Sequence, residues 1–196
     1  MRQLKIIRLT IHKMLRNLHT FVRWGLLAAA TGLVIGGFST LFAASLRFVT
    51  DFRTERPWMI FFLPLAGIFI VFLYGLFQYK NDKGTNMVLS TIHAETELPF
   101  KMAPLIFIST VITHLFGGSA GREGAAIQLG GSIANQLGRW IHLDEEDRHV
   151  IVMCGMSAAF SALFGTPMAA AVFALEVVSV GVMYYAALMP CMIASL

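Results

Sequence analysis

Charged side chains and cysteines are scarce in this sequence of 196 residues. Asp, Glu, Lys and Arg together make up 13% of it, whereas 57% is hydrophobic and the mean hydropathy is +0.70. A soluble core does not need so much apolar side chain, so the composition predicts a membrane protein. Both cysteines, Cys154 and Cys191, lie in apolar stretches. This position excludes a disulfide framework and a cysteine metal site, and it is typical of small buried side chains.

Acidic residues are absent before Asp51, whereas basic residues are frequent there. Residues 1–23 combine basic side chains with apolar ones at steps of three and four, which predicts an amphipathic helix on an anionic membrane face. The positive-inside rule places the N-terminus in the cytoplasm, and we expect a plasma or inner membrane. A nucleic-acid-binding arm is the alternative, but the interleaved apolar residues disfavour it, so no nucleic-acid partner is expected. The basic residues are Arg2, Lys5, Arg8, Lys13, Arg16 and Arg23; the apolar ones are Leu4, Ile7, Ile11, Leu15 and Leu18.

Two long uncharged runs follow, over residues 24–46 and residues 57–79. Each is long enough to cross roughly 30 Å of hydrocarbon as a helix. The first is too long for the apolar part of a signal peptide, so we expect it to stay in the mature protein. The charged link at residues 51–56 is expected outside the membrane, and the second helix returns the chain to the cytoplasm at Lys80.

Beyond residue 80 the apolar segments are shorter or are cut by glycine and proline. A short helix is predicted over residues 84–98, and a polar loop over residues 144–149. Residues 150–175 are uncharged but contain Gly-Thr-Pro at 165–167, which predicts two half-helices because proline cannot donate to the helix ladder. Interrupted helices at membrane depth are typical of transport sites. Residues 24–196 are therefore interpreted as one transmembrane domain.

Glu123 is the outstanding candidate for chemistry, since this carboxylate lies between glycines and between two apolar stretches. Gly121 and Gly124 let backbone N–H groups approach a ligand, and the helix predicted to begin there directs its positive end at an anion. Burial opposes the charged form of Glu123, whereas the helix terminus and Arg122 favour it. We therefore expect it to exchange a proton when an anion replaces it. The alternative is an interfacial Glu123 that merely pairs with Arg122.

The sequence GREGAAIQLGG at residues 121–131 resembles the GREGP-x-x-Q-x-G-G signature of the CLC family of chloride channels and anion/proton antiporters. Downstream, GMSAAF at 155–160, FGTPMA at 164–169 and FALE at 173–176 resemble the next two helices of that family in order and spacing. The resemblance extends over about residues 60–185.

The resemblance implies an all-α integral membrane protein with the CLC-type fold. It implies the first of two inverted repeats, built from broken and short transmembrane helices, with the second repeat absent. It also implies a homodimer in the lipid bilayer. Glu123 matches the family's gating glutamate, which couples the anion to protons. The anion-binding positions implied are Gly121, Arg122, Gly124, Ala125, Asn86 and Met87, with Arg122 expected to orient the loop.

The sequence departs from the family pattern at three places. Ala125 replaces a proline, which is mild because proline in the first helical turn is favoured but dispensable. GTNMV at residues 84–88 replaces Gly-Ser-Gly-Ile-Pro, whose serine coordinates chloride, and its Asn86 and Met87 resemble the fluoride-exporting subclass. Val177 lies where chloride/proton antiporters have a proton-handling glutamate. The departures at Asn86, Met87 and Val177 favour fluoride/proton antiport; a chloride channel or chloride/proton exchanger is the alternative.

Other polar residues have competing interpretations. His93 and His114 could relay protons, but a single histidine in an apolar segment is more often packed and hydrogen-bonded. Gly-Gly-Ser at 117–119 resembles the start of a serine-protease box and suggests an intramembrane hydrolase, but Ala120 interrupts the box. A purely structural membrane subunit is a third alternative. We therefore expect a transporter, not an enzyme, without a cofactor or metal.

Overall fold

The computed structural model of the protein describes residues 2–77, 85, 88, 99–178 and 184–196. Within these residues every regular element is helical, which confirms the all-α prediction. The helices are α1 (Arg2–Thr54), a 3₁₀ helix (Pro57–Phe62), α2 (Leu63–Leu76), α3 (Met102–Leu115), α4 (Arg122–Trp140), α5 (Glu145–Phe164), α6 (Pro167–Val178) and α7 (Tyr185–Ser195).

Helix α1 is longer than the sequence predicts. The sequence separates a surface helix at residues 1–23 from a spanning helix at residues 24–46, but the structure has one continuous helix, Arg2–Thr54. The reason is that residues 2–54 contain no proline, and α1 ends just before Pro57. The part Leu18–Thr54 has the length and composition of a membrane span.

The second predicted span, residues 57–79, divides into two elements. Pro57–Phe62 is a 3₁₀ helix with its proline in the first turn, and α2 continues from it to Leu76. Together Pro57–Leu76 is apolar and long enough to cross a membrane. Most of the short helix predicted over residues 84–98 lies outside the described residues. Residues 85 and 88, which the structure does describe, are helical.

Helix α5 lies at the centre of the fold, packed against α1, α4, α6 and α7. The crossing with α4 is close: a Cβ atom on Gly130 would collide with the Gly155 carbonyl oxygen and would lie 2.7 Å from Cβ of Ala159. Helices in lipid associate through such close packing of small residues, because lipid is as apolar as the side chains it would replace. Gly130 and Gly155 therefore determine how near α4 can lie to α5.

Two serine hydroxyls of α5 hold α7. Ser157 Oγ donates to the Cys191 carbonyl at 3.1 Å, and Ser161 Oγ donates to the Ser195 carbonyl at 2.6 Å. Both serines are buried, so these hydrogen bonds satisfy hydroxyls that have no access to water. Cys154 and Cys191 are free buried thiols, as predicted.

The polar segment at residues 144–149 is the start of α5 and not a loop. Asp144 caps the helix by accepting a hydrogen bond from the Asp147 N–H at 2.8 Å, and three acidic residues occupy the first turn. Negative charge stabilises the positive end of a helix, so these residues begin a helix where we predicted none. Arg23 of α1 lies 3.0 Å from Asp147 and connects the two helices at this end.

The predicted break at residues 165–167 is confirmed. Helix α5 ends at Phe164, and Gly165 takes the left-handed conformation with φ 69°. Its N–H donates to the Ser161 carbonyl at 2.7 Å, and α6 begins at Pro167. Glycine adopts this conformation without steric cost, and proline suits a first helical turn.

Candidate anion site at the start of α4

Helix α4 begins inside the GREGA sequence, as predicted. Gly121 is the N-cap residue with extended backbone, φ −68° and ψ 139°, and Arg122 is the first helical residue. No side chain caps the helix, and the backbone N–H groups of residues 119–124 make no hydrogen bond within the described residues. The first N–H groups of any helix lack intrahelical partners and carry the positive end of its dipole. This start therefore presents a row of free donors that an anion can accept from.

Glu123 lies in the first turn of α4, beside the row of free donors. One carboxylate oxygen, Oε2, is 3.2 Å from where a Cβ atom on Gly121 would stand, so the side chain folds back over the N-cap residue. A carboxylate in this position lies beside the N–H groups that an anion at the helix start would accept from. Any larger residue at position 121 would crowd it.

Two expectations about Glu123 are wrong in this chain. The sequence placed the carboxylate in an apolar interior, but Gly121, Arg122 and Glu123 are exposed and burial begins at Ala125. The reason is that the motif lies at the end of α4, where the helix emerges from the packed bundle. The alternative of a Glu123–Arg122 ion pair also fails, since no salt bridge joins the two residues in the part of the chain described here.

Thr85 and Gln128 extend the site beyond the motif's glycines. Gln128 Nε2 donates to Thr85 Oγ1 at 3.3 Å, and that oxygen lies 2.9 Å from where a Cβ atom on Gly124 would stand. The absent side chain of Gly124 therefore makes room for the threonine hydroxyl at the start of α4. Gln128 itself is buried.

Sequence reasoning assigned no function to Thr85 or Gln128, although both carried a signal. Gln128 is the glutamine of the signature, and Thr85 falls opposite the serine when residues 84–88 are compared with Gly-Ser-Gly-Ile-Pro. Asn86 and Met87, the two residues chosen instead, lie outside the described residues. Thr85, the residue before them, lies at the start of α4.

The remaining predicted positions have ordinary surroundings. Ala125 is buried and joins the hydrophobic core, and Val177 is partly buried against it in α6. His114 is held by its neighbour: Nδ1 lies 2.9 Å from the Thr110 carbonyl oxygen, which favours the packed interpretation over a proton relay. His93 lies outside the described residues. Ser119, the residue behind the hydrolase alternative, is exposed between α3 and α4.

A metal site requires several ligands close together. No group of three His, Cys, Asp or Glu side chains with that arrangement occurs among the residues that the structure describes. The chemistry available at the start of α4 is therefore that of hydrogen-bond donors, one hydroxyl and one carboxylate.

Comparison with known proteins places these features in a family. The chain is 44% identical over 175 residues to a chloride/fluoride channel protein of Pseudomonas syringae pv. tomato, a match that covers 89% of this chain and 39% of the relative. It is 27% identical over 166 residues to an H⁺/Cl⁻ exchange transporter of Cronobacter sakazakii, covering 77% of this chain and 36% of the relative. The chain thus spans less than half the length of these relatives.

Solved structures agree with the sequence comparison. The crystal structure of a CLC-type fluoride/proton antiporter matches with a TM-score of 0.82 and 40% identity, covering 89% of this chain and 45% of that one. A slow cyanobacterial Cl⁻/H⁺ antiporter matches with a TM-score of 0.71 at 19% identity, which shows the same fold.

The family model described as voltage gated chloride channel matches residues 66–196. This span includes the GREGA motif at the start of α4, the break between α5 and α6, and the helices α3 to α7. The chain therefore belongs to the voltage gated chloride channel family, a family of membrane channels and transporters with the all-helical CLC fold.

Proposed function

We propose that this chain takes part in moving fluoride across a membrane in exchange for protons, and that the anion binds at the start of α4. The observation that carries this proposal is the run of backbone N–H groups at residues 119–124, unbonded within the described residues and adjoining the Glu123 carboxylate. The resemblance to a fluoride/proton antiporter and to a chloride/fluoride channel protein supports the choice of fluoride as the ion.

Thr85 supplies a further donor to the anion. Because the Gln128 amide donates to the Thr85 oxygen, the hydroxyl hydrogen of Thr85 is left to donate elsewhere. An anion at the start of α4 accepts that hydrogen together with the backbone N–H groups. A small, strongly hydrated ion needs such a dense set of donors to replace its water, which suits fluoride.

Glu123 couples the anion to protons by competition. Its ionised carboxylate lies over the N-cap residue, beside the free donors to which a halide would bind, and the two like charges repel. Protonation removes the negative charge, so the side chain leaves and the halide takes its place. Deprotonation reverses the exchange, so anion binding at the start of α4 is linked to the protonation state of Glu123.

The choice of fluoride over chloride depends on which residues stand at three positions of the family pattern. Asn86 and Met87 resemble the fluoride-exporting subclass, and Val177 lacks the carboxylate of ordinary chloride/proton exchange. A chloride channel or chloride/proton exchanger is the second candidate, supported by the resemblance to the Cronobacter exchanger. Ala125, Arg122 and the two glycines complete the proposed anion-binding set.

The proposal includes the placement of the chain. Helix α1 enters the membrane from the cytoplasm, with the basic residues 1–23 along the cytoplasmic face of a plasma or inner membrane. The protein acts as a homodimer, and residues 24–196 form the first of two inverted repeats of the CLC fold.

Fluoride and chloride efflux from proteoliposomes tests the proposal. The purified protein is reconstituted, each ion is followed with its selective electrode, and proton movement is followed in the same vesicles. We expect fluoride to leave much faster than chloride and to drive protons the opposite way. Chloride efflux as fast as fluoride efflux would overturn the fluoride assignment, and fluoride efflux without proton movement would overturn the exchange.

The matched variant Glu123→Gln keeps the size and shape of the side chain but removes the ionisable carboxylate. We expect it to abolish proton movement, because the amide does not ionise, while the fold is unchanged. Proton movement equal to that of the unaltered protein would remove Glu123 from the mechanism.

A further inference from the structure

Arg53 lies at the loop that leads into the start of α4. It occupies the last turn of α1, and its Cδ and Nη1 atoms lie 3.4 and 3.5 Å from where a Cβ atom on Gly117 would stand. Gly117 has φ +83°, a conformation that other residues adopt at a cost, so glycine keeps this space open for the arginine. Arg53 therefore packs on the backbone of the loop, four residues before Gly121.

The guanidinium of Arg53 has unmet hydrogen-bonding capacity. Its Nε atom is buried without a hydrogen-bond partner, and no carboxylate pairs with the side chain among the residues described. An unpaired buried donor on a charged group is costly. The negative end of α1 favours a positive charge in its last turn, but it does not supply the missing acceptor.

Arg56 provides the contrast within the same end of the molecule. Its Nη1 atom lies 3.5 Å from Glu55 Oε2 and 3.4 Å from the Phe52 carbonyl oxygen, and its guanidinium stacks 4.0 Å from the centre of the Phe52 ring. The charge of Arg56 is thus engaged by its own neighbours. The side chain of Arg53, three residues earlier, lies against the loop at Gly117 and has no ion-pair partner in the described part of the chain.

We infer that Arg53 and the loop at residues 117–121 form an entry site for a halide ion. Arg53 Nε and the N–H groups of residues 119–121 have no acceptor among the residues that the structure describes, so they offer an anion several donors together with a full positive charge. An ion held there is next to the start of α4. The identity of the halide as fluoride rests on the proposed function; the anion site itself rests on Arg53 and the loop.

An entry site of this kind affects capture of the ion more than its later movement. A fixed positive charge raises the local anion concentration and the rate of entry, and salt weakens this effect. Removing the charge should therefore raise the half-saturating fluoride concentration and leave the maximal rate unchanged. A merely structural arginine would instead lower the maximal rate and the thermal stability together.

The test compares Arg53→Gln, Arg53→Lys and Arg56→Gln in the whole chain. Fluoride efflux is measured over a range of fluoride concentrations, at low and high concentration of a large, impermeant organic salt. For Arg53→Gln we expect the half-saturating fluoride concentration to rise about tenfold at low salt, the lower end of the range known for electrostatic steering. Arg53→Lys should restore most of the loss, and Arg56→Gln should change it less than about twofold.

An unchanged half-saturating concentration in Arg53→Gln would overturn the inference, as would equal effects of Arg53→Gln and Arg56→Gln. Calorimetric binding of sodium fluoride and sodium chloride separates this result from the proposed function. If the unaltered protein transports no halide, the proposed function fails. The inference then stands only if halide binding is lost in Arg53→Gln and kept in Arg56→Gln; binding by both variants, or none by the unaltered protein, overturns it.

Discussion

Helices α4 and α5 follow one another in the chain but begin in opposite ways. The start of α5 is closed by side chains, since Asp144 accepts from the Asp147 N–H and Arg23 of α1 pairs with Asp147. The start of α4 has a glycine at the same position, no side-chain cap and an acidic residue that folds back over it. A closed start stabilises the helix, whereas an open start keeps its donors for a ligand.

Closing the start of α4 should have the largest effect. Gly121→Asp supplies the cap that α5 has, and its carboxylate competes with the halide for the same N–H groups. We expect the half-saturating fluoride concentration to rise by about ten- to a hundredfold, since one hydrogen bond to a charged group amounts to roughly 1.5–3 kcal/mol. Efflux from proteoliposomes measures this effect.

Gly121→Ala is the matched control for that variant, because it adds a Cβ atom without a cap. Its effect should be clearly smaller, although the new atom would lie 3.2 Å from Glu123 Oε2. Equal loss of affinity in the two variants would show that space at position 121 matters and the free donors do not.

Removing the side-chain donor should have the next largest effect. Thr85→Val keeps the shape of the side chain but removes the hydroxyl, and it leaves the buried Gln128 amide without its acceptor. We expect a loss of fluoride affinity of about tenfold, near 1.5 kcal/mol. Thr85→Ser keeps the hydroxyl and should retain most of the affinity; a loss as large as that of the valine variant would contradict an anion-binding hydroxyl.

Opening the start of α5 should affect stability and not transport. Asp144→Ala removes the cap, which should cost about 1 kcal/mol, within the usual range of 0.5–2 kcal/mol for such residues. Thermal unfolding in detergent, followed by circular dichroism, measures the loss. The fluoride affinity should stay within about twofold of that of the unaltered protein. A larger change would contradict the view that the start of α4 binds the ion and the start of α5 only stabilises its helix.

The smallest effect is expected at the ion pair between α1 and α5. Arg23→Gln removes a contact in which the arginine side chain is 49% exposed, so water screens most of the attraction. We expect less than about 1 kcal/mol of stability to be lost, and less in high salt. A loss of several kcal/mol would show that this contact holds α1 to the bundle.

The features predicted best from the sequence are those with strong local causes. The break between α5 and α6 follows from glycine and proline at positions 165 and 167, and the start of α4 follows from its motif. The start of α5 was predicted as a loop because its charges suggested solvent. The spacing of Asp144 before three acidic residues is in fact typical of a capped helix.

Other features depend on contacts between distant segments, which local patterns do not contain. The hydrogen bond from Gln128 to Thr85 joins residues 43 positions apart, and Arg53 meets Gly117 through the packing of α1 on the loop before α4. The exposure of Glu123 likewise depends on where the bundle ends. Apolar sequence on both sides of the motif could not predict it.

The most direct test of the account is the pH dependence of fluoride binding, measured by calorimetry for the unaltered protein and for Glu123→Gln. If the carboxylate and the halide compete for the start of α4, lowering the pH protonates Glu123 and tightens fluoride binding in the unaltered protein. Glu123→Gln should bind fluoride with an affinity that changes little over the same pH range. The same pH dependence in both proteins would contradict competition at this site.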